Sequence, residues 1–137
     1  MESDIQMLRD SFRRLTPRAD RLANNFYDAL FDRYPSTLPL FAGVRFDEQK
    51  RKLLRSLALV VRHIEQPDFL DAYLQGLGAI HVAYGVRAEH YPAVGECLLF
   101  ALAETAGKTW SANEEAVWRR AFGMISETML AGAAKMV

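Results

Sequence analysis

Apolar residues recur at three- and four-residue steps along this chain, and no segment reads convincingly as a strand with a period of two. Ile5, Leu8, Phe12 and Leu15 form one stripe, and Leu22, Phe26, Leu30 and Tyr34 form a second. A third helix begins near Asp47 and turns Leu53, Leu57, Val60 and Ile64 inward; a last one runs through Val117, Trp118, Phe122, Ile125 and Met129. The punctuation agrees with this reading. Ser3-x-x-Gln6 and Ser111-x-x-Glu114 have the form of capping boxes. Thr16-Pro17 sets a capping threonine before a proline suited to the first helical position. Pro35 and Pro39 break the second helix into a turn-rich segment ending at Leu40-Phe41-Ala42-Gly43, and Gln66-Pro67-Asp68 separates two further helices. Gly85 and Gly107 each close a helix, the second running from Pro92 to about Ala106. The spacing predicts an all-α fold of seven or so helices with short connections, as one domain over residues 1–137.

Half of the 137 residues are hydrophobic, enough for a real core. Lys and Arg number 17 and so do Asp and Glu, which removes any electrostatic reason to expect nucleic acid or an anionic membrane as partner. Cys97 is the only cysteine, so neither an intramolecular disulfide nor a cysteine-based metal cluster can form, and a reducing compartment suits the chain. Met1-Glu2-Ser3-Asp4 lacks an apolar signal core, and Leu57 to Val61, the longest tight apolar run outside the 92–106 helix, is too short to cross a bilayer. A cytoplasmic location is expected.

Three polar residues fall where core is expected. His81 shares a helix face with Leu74, Leu77 and Gly78, and its ring nitrogens need partners. An iron atom is one; an ordinary hydrogen bond within a core is the other. Tyr27 has Ala23, Leu30 and Phe31 one turn away, so it points at least partly inward, although many core tyrosines do so with the hydroxyl reaching water. Gln49 lies one turn before Leu53 and two before Leu57 and continues their face; a glutamine in a first turn also serves as a cap or a solvated side chain. Taken together, a basic nitrogen from one helix and donors from two others are what an iron-bound diatomic ligand needs.

The ordered set of motifs resembles the globins, and most of all the bacterial single-domain haemoglobins and the haem domains of flavohaemoglobins, from about Ile5 to Leu130. Phe26-Tyr27-Asp28-Ala29-Leu30-Phe31 is similar to the family's segment with a distal tyrosine, a role that passes to Tyr27. Tyr34-Pro35-Ser36-Thr37-Leu38-Pro39-Leu40-Phe41 is similar to the corner segment whose phenylalanine packs on the haem face, here Phe41. Asp47-Glu48-Gln49-Lys50-Arg51-Lys52-Leu53 puts Gln49 at the distal gate and Leu53 over the iron. His81 matches the proximal ligand. Glu89 to Leu99 is the most specific match and puts Tyr91 near the proximal pocket; Trp118 with Ala121-Phe122-Gly123 matches the last helix. One departure stands out. The flavohaemoglobin glutamate that bonds the proximal tyrosine falls here on Ala133, and Glu127 is too distant to replace it.

The resemblance implies a b-type haem (iron protoporphyrin IX) held by His81, since covalent attachment needs a Cys-x-x-Cys-His run that is absent. Phe41, Leu53, Leu57, Val86 and Val94 are the expected haem wall, and Lys52 either reaches a propionate or stays solvated. His63 and His90 are expected to serve only at the surface or helix ends. Dioxygen and other diatomic gases are the implied ligands, held by Tyr27 and Gln49. Three functions follow: an oxygen-binding protein first, a nitric oxide dioxygenase served by a separate reductase second, and a gas sensor within a larger protein third.

Overall fold

The structure is a computed structural model that describes residues 2–135, with side chains from Asp4 onward. Among the described residues there are six α-helices, three short 3-10 turns and no strand. They run α1 (Glu2–Leu15), α2 (Ala19–Arg33), α3 (Phe46–Arg62), α4 (Pro67–Ala83), α5 (His90–Ala106) and α6 (Ala112–Ala134). The expected all-α architecture is present. The seventh helix is a 3-10 segment, Pro35–Phe41, because Pro35 and Pro39 have no N–H to extend an α-ladder.

Local chemistry sets most boundaries. Ser111 accepts from the Glu114 N–H while Glu114 accepts from the Ser111 N–H, closing the expected capping box of α6. Ser111→Ala is expected to lower stability by about 1 kcal/mol, read from a urea melt; an unchanged midpoint would show that the tertiary contacts of Glu114 alone hold this end. Pro67 opens α4, and Gly85 (φ 89°) and Gly107 (φ 62°) follow α4 and α5 in the left-handed region. Two expectations are corrected. Thr16 does not cap α2: its hydroxyl donates back to the Phe12 carbonyl at 2.9 Å, and a 3-10 turn, Thr16–Arg18, intervenes. Tyr34 does not extend the α2 stripe, because it is the residue at which the helix ends and is exposed. The Ser3–Gln6 box rests on a side chain outside the described residues.

The expected single core is divided in two. The main one joins α1, α2, α3, α5 and α6 through Leu8, Leu15, Leu22, Phe26, Leu30, Leu57, Leu102 and Phe122. Trp118 is sealed into it, its indole N–H donating to Ser11 Oγ at 3.0 Å. The smaller core is Val60 of α3, Leu70 and Leu74 of α4 and Met129 of α6. It exists because α4 lies backbone to backbone on α6. A Cβ on Gly78 would sit 1.9 Å from the Met129 carbonyl oxygen, and one on Gly132 would sit 2.1 Å from that of Gln75. Two glycines thus fix where α4, and with it His81, stands.

Candidate functional site

His81 lies one turn beyond Gly78 and near the end of α4, where its carbonyl accepts the Val86 N–H at 3.0 Å. Its ring is half-buried. Nδ1 lies 2.7 Å from the Leu77 carbonyl oxygen, one turn earlier. That oxygen can only accept, so Nδ1 carries the hydrogen and the neutral ring keeps a lone pair on Nε2. Nε2 has no hydrogen-bond partner among the described residues. A carbonyl that fixes the tautomer and ring direction is the usual support behind a metal-binding histidine.

Tyr27 belongs to α2 and is almost wholly buried. Its ring packs edge-on against Phe26, Phe41 and Phe46 at centroid distances of 4.7, 5.8 and 5.6 Å, and stacks with Phe31 at 6.0 Å. Phe46 fills the first position of α3, and its ring centroid lies 5.8 Å from that of Phe41. Its part in the aromatic box was missed in the sequence because it sits between a loop and a helix start, outside any stripe. Gln49, on the first turn of α3, donates from Nε2 to Tyr27 Oη at 3.1 Å. Its side chain therefore bonds another helix and not the backbone of its own. With Oη accepting from Gln49, the tyrosine proton stays free to be donated. Burial pushes the Tyr27 hydroxyl above its ordinary value of 10.0, and the Gln49 bond opposes this only in part.

The proposed wall residues occupy the margins of the two cores. Phe41, Leu53 and Val94 are half-buried against the main core, and Leu57 is buried within it. Tyr91 and Leu77 are half-buried against the smaller one, and Val86 is half-buried just after α4. Burial raises the Tyr91 hydroxyl above its ordinary value, and it bonds no described residue. Ala133 is half-buried on α6 and Glu127 is exposed. Lys52 is exposed and makes no ion pair among the described residues. At their connected ends α3 and α4 are tied by Val60 against Leu70 and Leu74 and by Tyr73 Oη donating to Ser56 Oγ at 3.1 Å. Gln49 and His81 stand toward the opposite ends of these two helices.

The donor set fits a haem. One imidazole nitrogen is held ready, and apolar side chains at the margins of the two cores, Phe41, Leu53, Leu77 and Val94 among them, are left half-buried. Among the described residues no three His, Cys, Asp or Glu side chains gather to hold a bare metal ion. A haem needs only one such ligand, because its porphyrin supplies the rest. The other histidines are taken up elsewhere: His63 stacks on Phe69 at 4.1 Å and its Nδ1 lies 2.5 Å from Gln66 Oε1, while His90 Nδ1 accepts the Arg87 N–H at 2.9 Å. Two open surface cavities, of about 340 and 260 Å³, line the start of α2 and the α1–α2–α3 junction and include none of these site residues. No described helix is long and apolar enough to cross a membrane.

Known proteins resemble this chain in sequence and in fold over nearly its whole length. A globin-like protein of Aquifex aeolicus is 30% identical over 131 residues, covering 94% of this chain and 91% of that protein. A flavohemoprotein of Bacillus cereus is 27% identical over 98% of this chain, which spans only 34% of the flavohemoprotein's length. The structure of a bacterial globin from Campylobacter jejuni superposes with a TM-score of 0.86 at 26% identity, covering 99% of this chain and 98% of that one. The globin family model matches residues 24–129, which include the tyrosine, the glutamine and the histidine, and the chain belongs to the globin family.

Proposed function

We propose that this chain is a b-type haem protein that binds dioxygen and other diatomic gases reversibly and tightly, with His81 as the iron ligand and Tyr27 and Gln49 as donors to the bound gas. Family membership implies the haem and the gases; the residue roles and the oxygen preference are our reading. The observation that carries it is the Gln49–Tyr27 hydrogen bond, which orients the tyrosine hydroxyl and leaves its proton available. When bound, the haem would supply an iron with an open coordination position for a gas molecule. Leu77 holds the His81 proton on Nδ1, and His81 would hold the haem iron through the lone pair left on Nε2. The Phe31–Phe41–Phe46 box keeps water away from Tyr27 and holds its ring in place. Phe41, Leu53, Leu57, Val86 and Val94 would form the apolar wall and Lys52 would reach a propionate.

A donor in so dry a setting contributes on the order of 1–3 kcal/mol, or roughly 5- to 150-fold in gas release. Tyr27→Phe is therefore expected to speed oxygen dissociation by that factor while leaving carbon monoxide, a poorer acceptor, much less affected. An oxygen off-rate equal to that of the parent would overturn the reading. Because burial raises the Tyr27 hydroxyl above 10.0, it remains a donor at neutral and mildly alkaline pH. Oxygen release should consequently be flat between about pH 6 and 9 and should accelerate only where the hydroxyl ionises.

The similarity to a flavohemoprotein over nearly the whole chain favours a second reading, nitric oxide dioxygenase served by a separate reductase. Alanine at position 133 leaves the Tyr91 hydroxyl without the acid expected there, so gas binding is the first reading. Nitrate formation from nitric oxide and oxygen, with a reductase supplied, decides between them.

A further inference from the structure

A single turn of α3 grips Tyr27 at both ends. Gln49 donates to its hydroxyl at 3.1 Å. Phe46, three residues earlier, meets its ring edge-on at a centroid distance of 5.6 Å and an interplanar angle of 78°. Residues three apart share a helix face, so one turn reaches the tyrosine twice. Of the four phenylalanine rings packed on Tyr27, Phe46 alone comes from another α-helix. Phe26 and Phe31 ride on α2 with Tyr27 itself, and Phe41 stands on the 3-10 segment that follows α2. A tight turn delivers Phe46 to this place. Phe41 to Val44 is a type II turn: Ala42 has φ −60° and ψ 128°, Gly43 has φ 77°, and the Val44 N–H donates to the Phe41 carbonyl at 3.0 Å. Glycine takes that third position without strain. Arg45 follows in an extended conformation and makes no side-chain capping bond to α3. The half-buried Phe46 ring then lies 5.5 Å from Phe31 and 5.8 Å from Phe41.

We propose that Phe46 is a positioning residue that sets this chain's preference for oxygen over carbon monoxide. The inference rests on the gas-binding reading above. Tyr27 Oη is the ring atom farthest from its backbone, so a small tilt of the ring moves the hydroxyl most. A hydrogen bond weakens steeply as its angle closes. Bound oxygen carries partial negative charge and gains from a well-aimed donor, whereas carbon monoxide, a poorer acceptor, gains little. Phe46 stops the ring from tilting toward α3, while Gln49 on the same turn occupies the hydroxyl oxygen and leaves its proton free. Phe46 acts through Tyr27 and not on the gas.

A double-mutant cycle tests this. In Phe46→Ala, oxygen dissociation from the ferrous haem-loaded protein should speed up roughly 5- to 30-fold, with carbon monoxide release changed by less than about 2-fold. In Tyr27→Phe/Phe46→Ala, oxygen should leave no faster than from Tyr27→Phe alone, because the residue through which Phe46 acts is gone. Phe46→Tyr keeps the edge-on ring and should release oxygen as the parent does. Phe46→Leu should fall between, and it carries the same test if the alanine variant does not fold. The infrared C–O stretch of the carbon monoxide complex reads the hydroxyl's place: a narrow band in the parent and Phe46→Tyr, a broadened or split one in Phe46→Ala. A merely structural Phe46 would lower the melting temperature of Phe46→Ala and leave both the oxygen rate and the C–O band alone, which would overturn the proposal. So would an oxygen effect that persists undiminished beside Tyr27→Phe. The hold on the ring is read separately by NMR of ring-labelled tyrosine, with or without haem bound: the Tyr27 ring should flip faster in Phe46→Ala, and equal flip rates would overturn the proposal. An unchanged oxygen rate in Tyr27→Phe sinks the gas-binding reading; a changed one, with Phe46→Ala equal to the parent, sinks only the role of Phe46.

Discussion

Gly78→Ala is expected to destabilise the protein by about 3 kcal/mol, the upper end of what overpacking usually costs, and to lower its melting temperature by roughly 10 °C. The new methyl carbon would stand 1.9 Å from the Met129 carbonyl oxygen, 2.6 Å from its carbonyl carbon and 2.9 Å from its Cα. None of these is the free end of a side chain that could swing aside. The backbone of α4 or α6 has to move instead. Gly132→Ala should do the same from the other helix, since its Cβ would meet the Gln75 backbone at 2.1 Å. The second consequence is functional. His81 follows Gly78 by three residues on α4, so moving that helix displaces the ring from its place relative to Tyr27 and Gln49. Haem affinity should fall together with stability. Thermal unfolding followed by circular dichroism, and haem transfer to an acceptor protein, measure the two effects. A variant that melts at the parent's temperature would show that the helices separate at little cost.

The second large effect concerns the ligand itself. His81→Gly should weaken haem binding by more than roughly 100-fold, beyond the 10- to 100-fold usual for losing a partner behind a metal ligand. Imidazole added to the solution should restore a five-coordinate ferrous spectrum, because it refills the space and offers the same nitrogen. The haem-free variant should remain folded, since the ring is half-buried and bonds only the Leu77 carbonyl. If His81 were an ordinary core residue, the opposite pattern would appear: a stability loss in the haem-free protein and an unchanged haem spectrum.

The legible part of this chain was what depends on near neighbours in sequence. The apolar steps marked the helices, Gly85 and Gly107 closed two of them, and Ser111 with Glu114 opened the last. Thr16 was misread for a related reason. A threonine before a proline satisfies the local rule for a cap, but a hydroxyl also bonds the carbonyl four residues back, and that choice depends on how α1 ends. The Pro35–Phe41 segment was legible as broken, though its 3-10 form was not.

Sequence alone determined that the chain is helical, where most helices begin and stop, and that His81, Tyr27 and Gln49 lie on faces with apolar neighbours. It also carried a family resemblance in the order of its motifs. Only the tertiary structure decided that Gln49 bonds Tyr27 from a different helix, that Phe46 completes the aromatic box, that α4 lies directly on α6 through Gly78 and Gly132, and that the apolar residues divide into two cores. The physical reason is one of range. Helix periodicity and capping arise from hydrogen bonds and sterics within about four residues, so a single sequence displays them. Which helices meet, and which side chains thereby touch, is settled by the fit of surfaces far apart in the chain, and a glycine reveals that role only when the backbone it admits is in place.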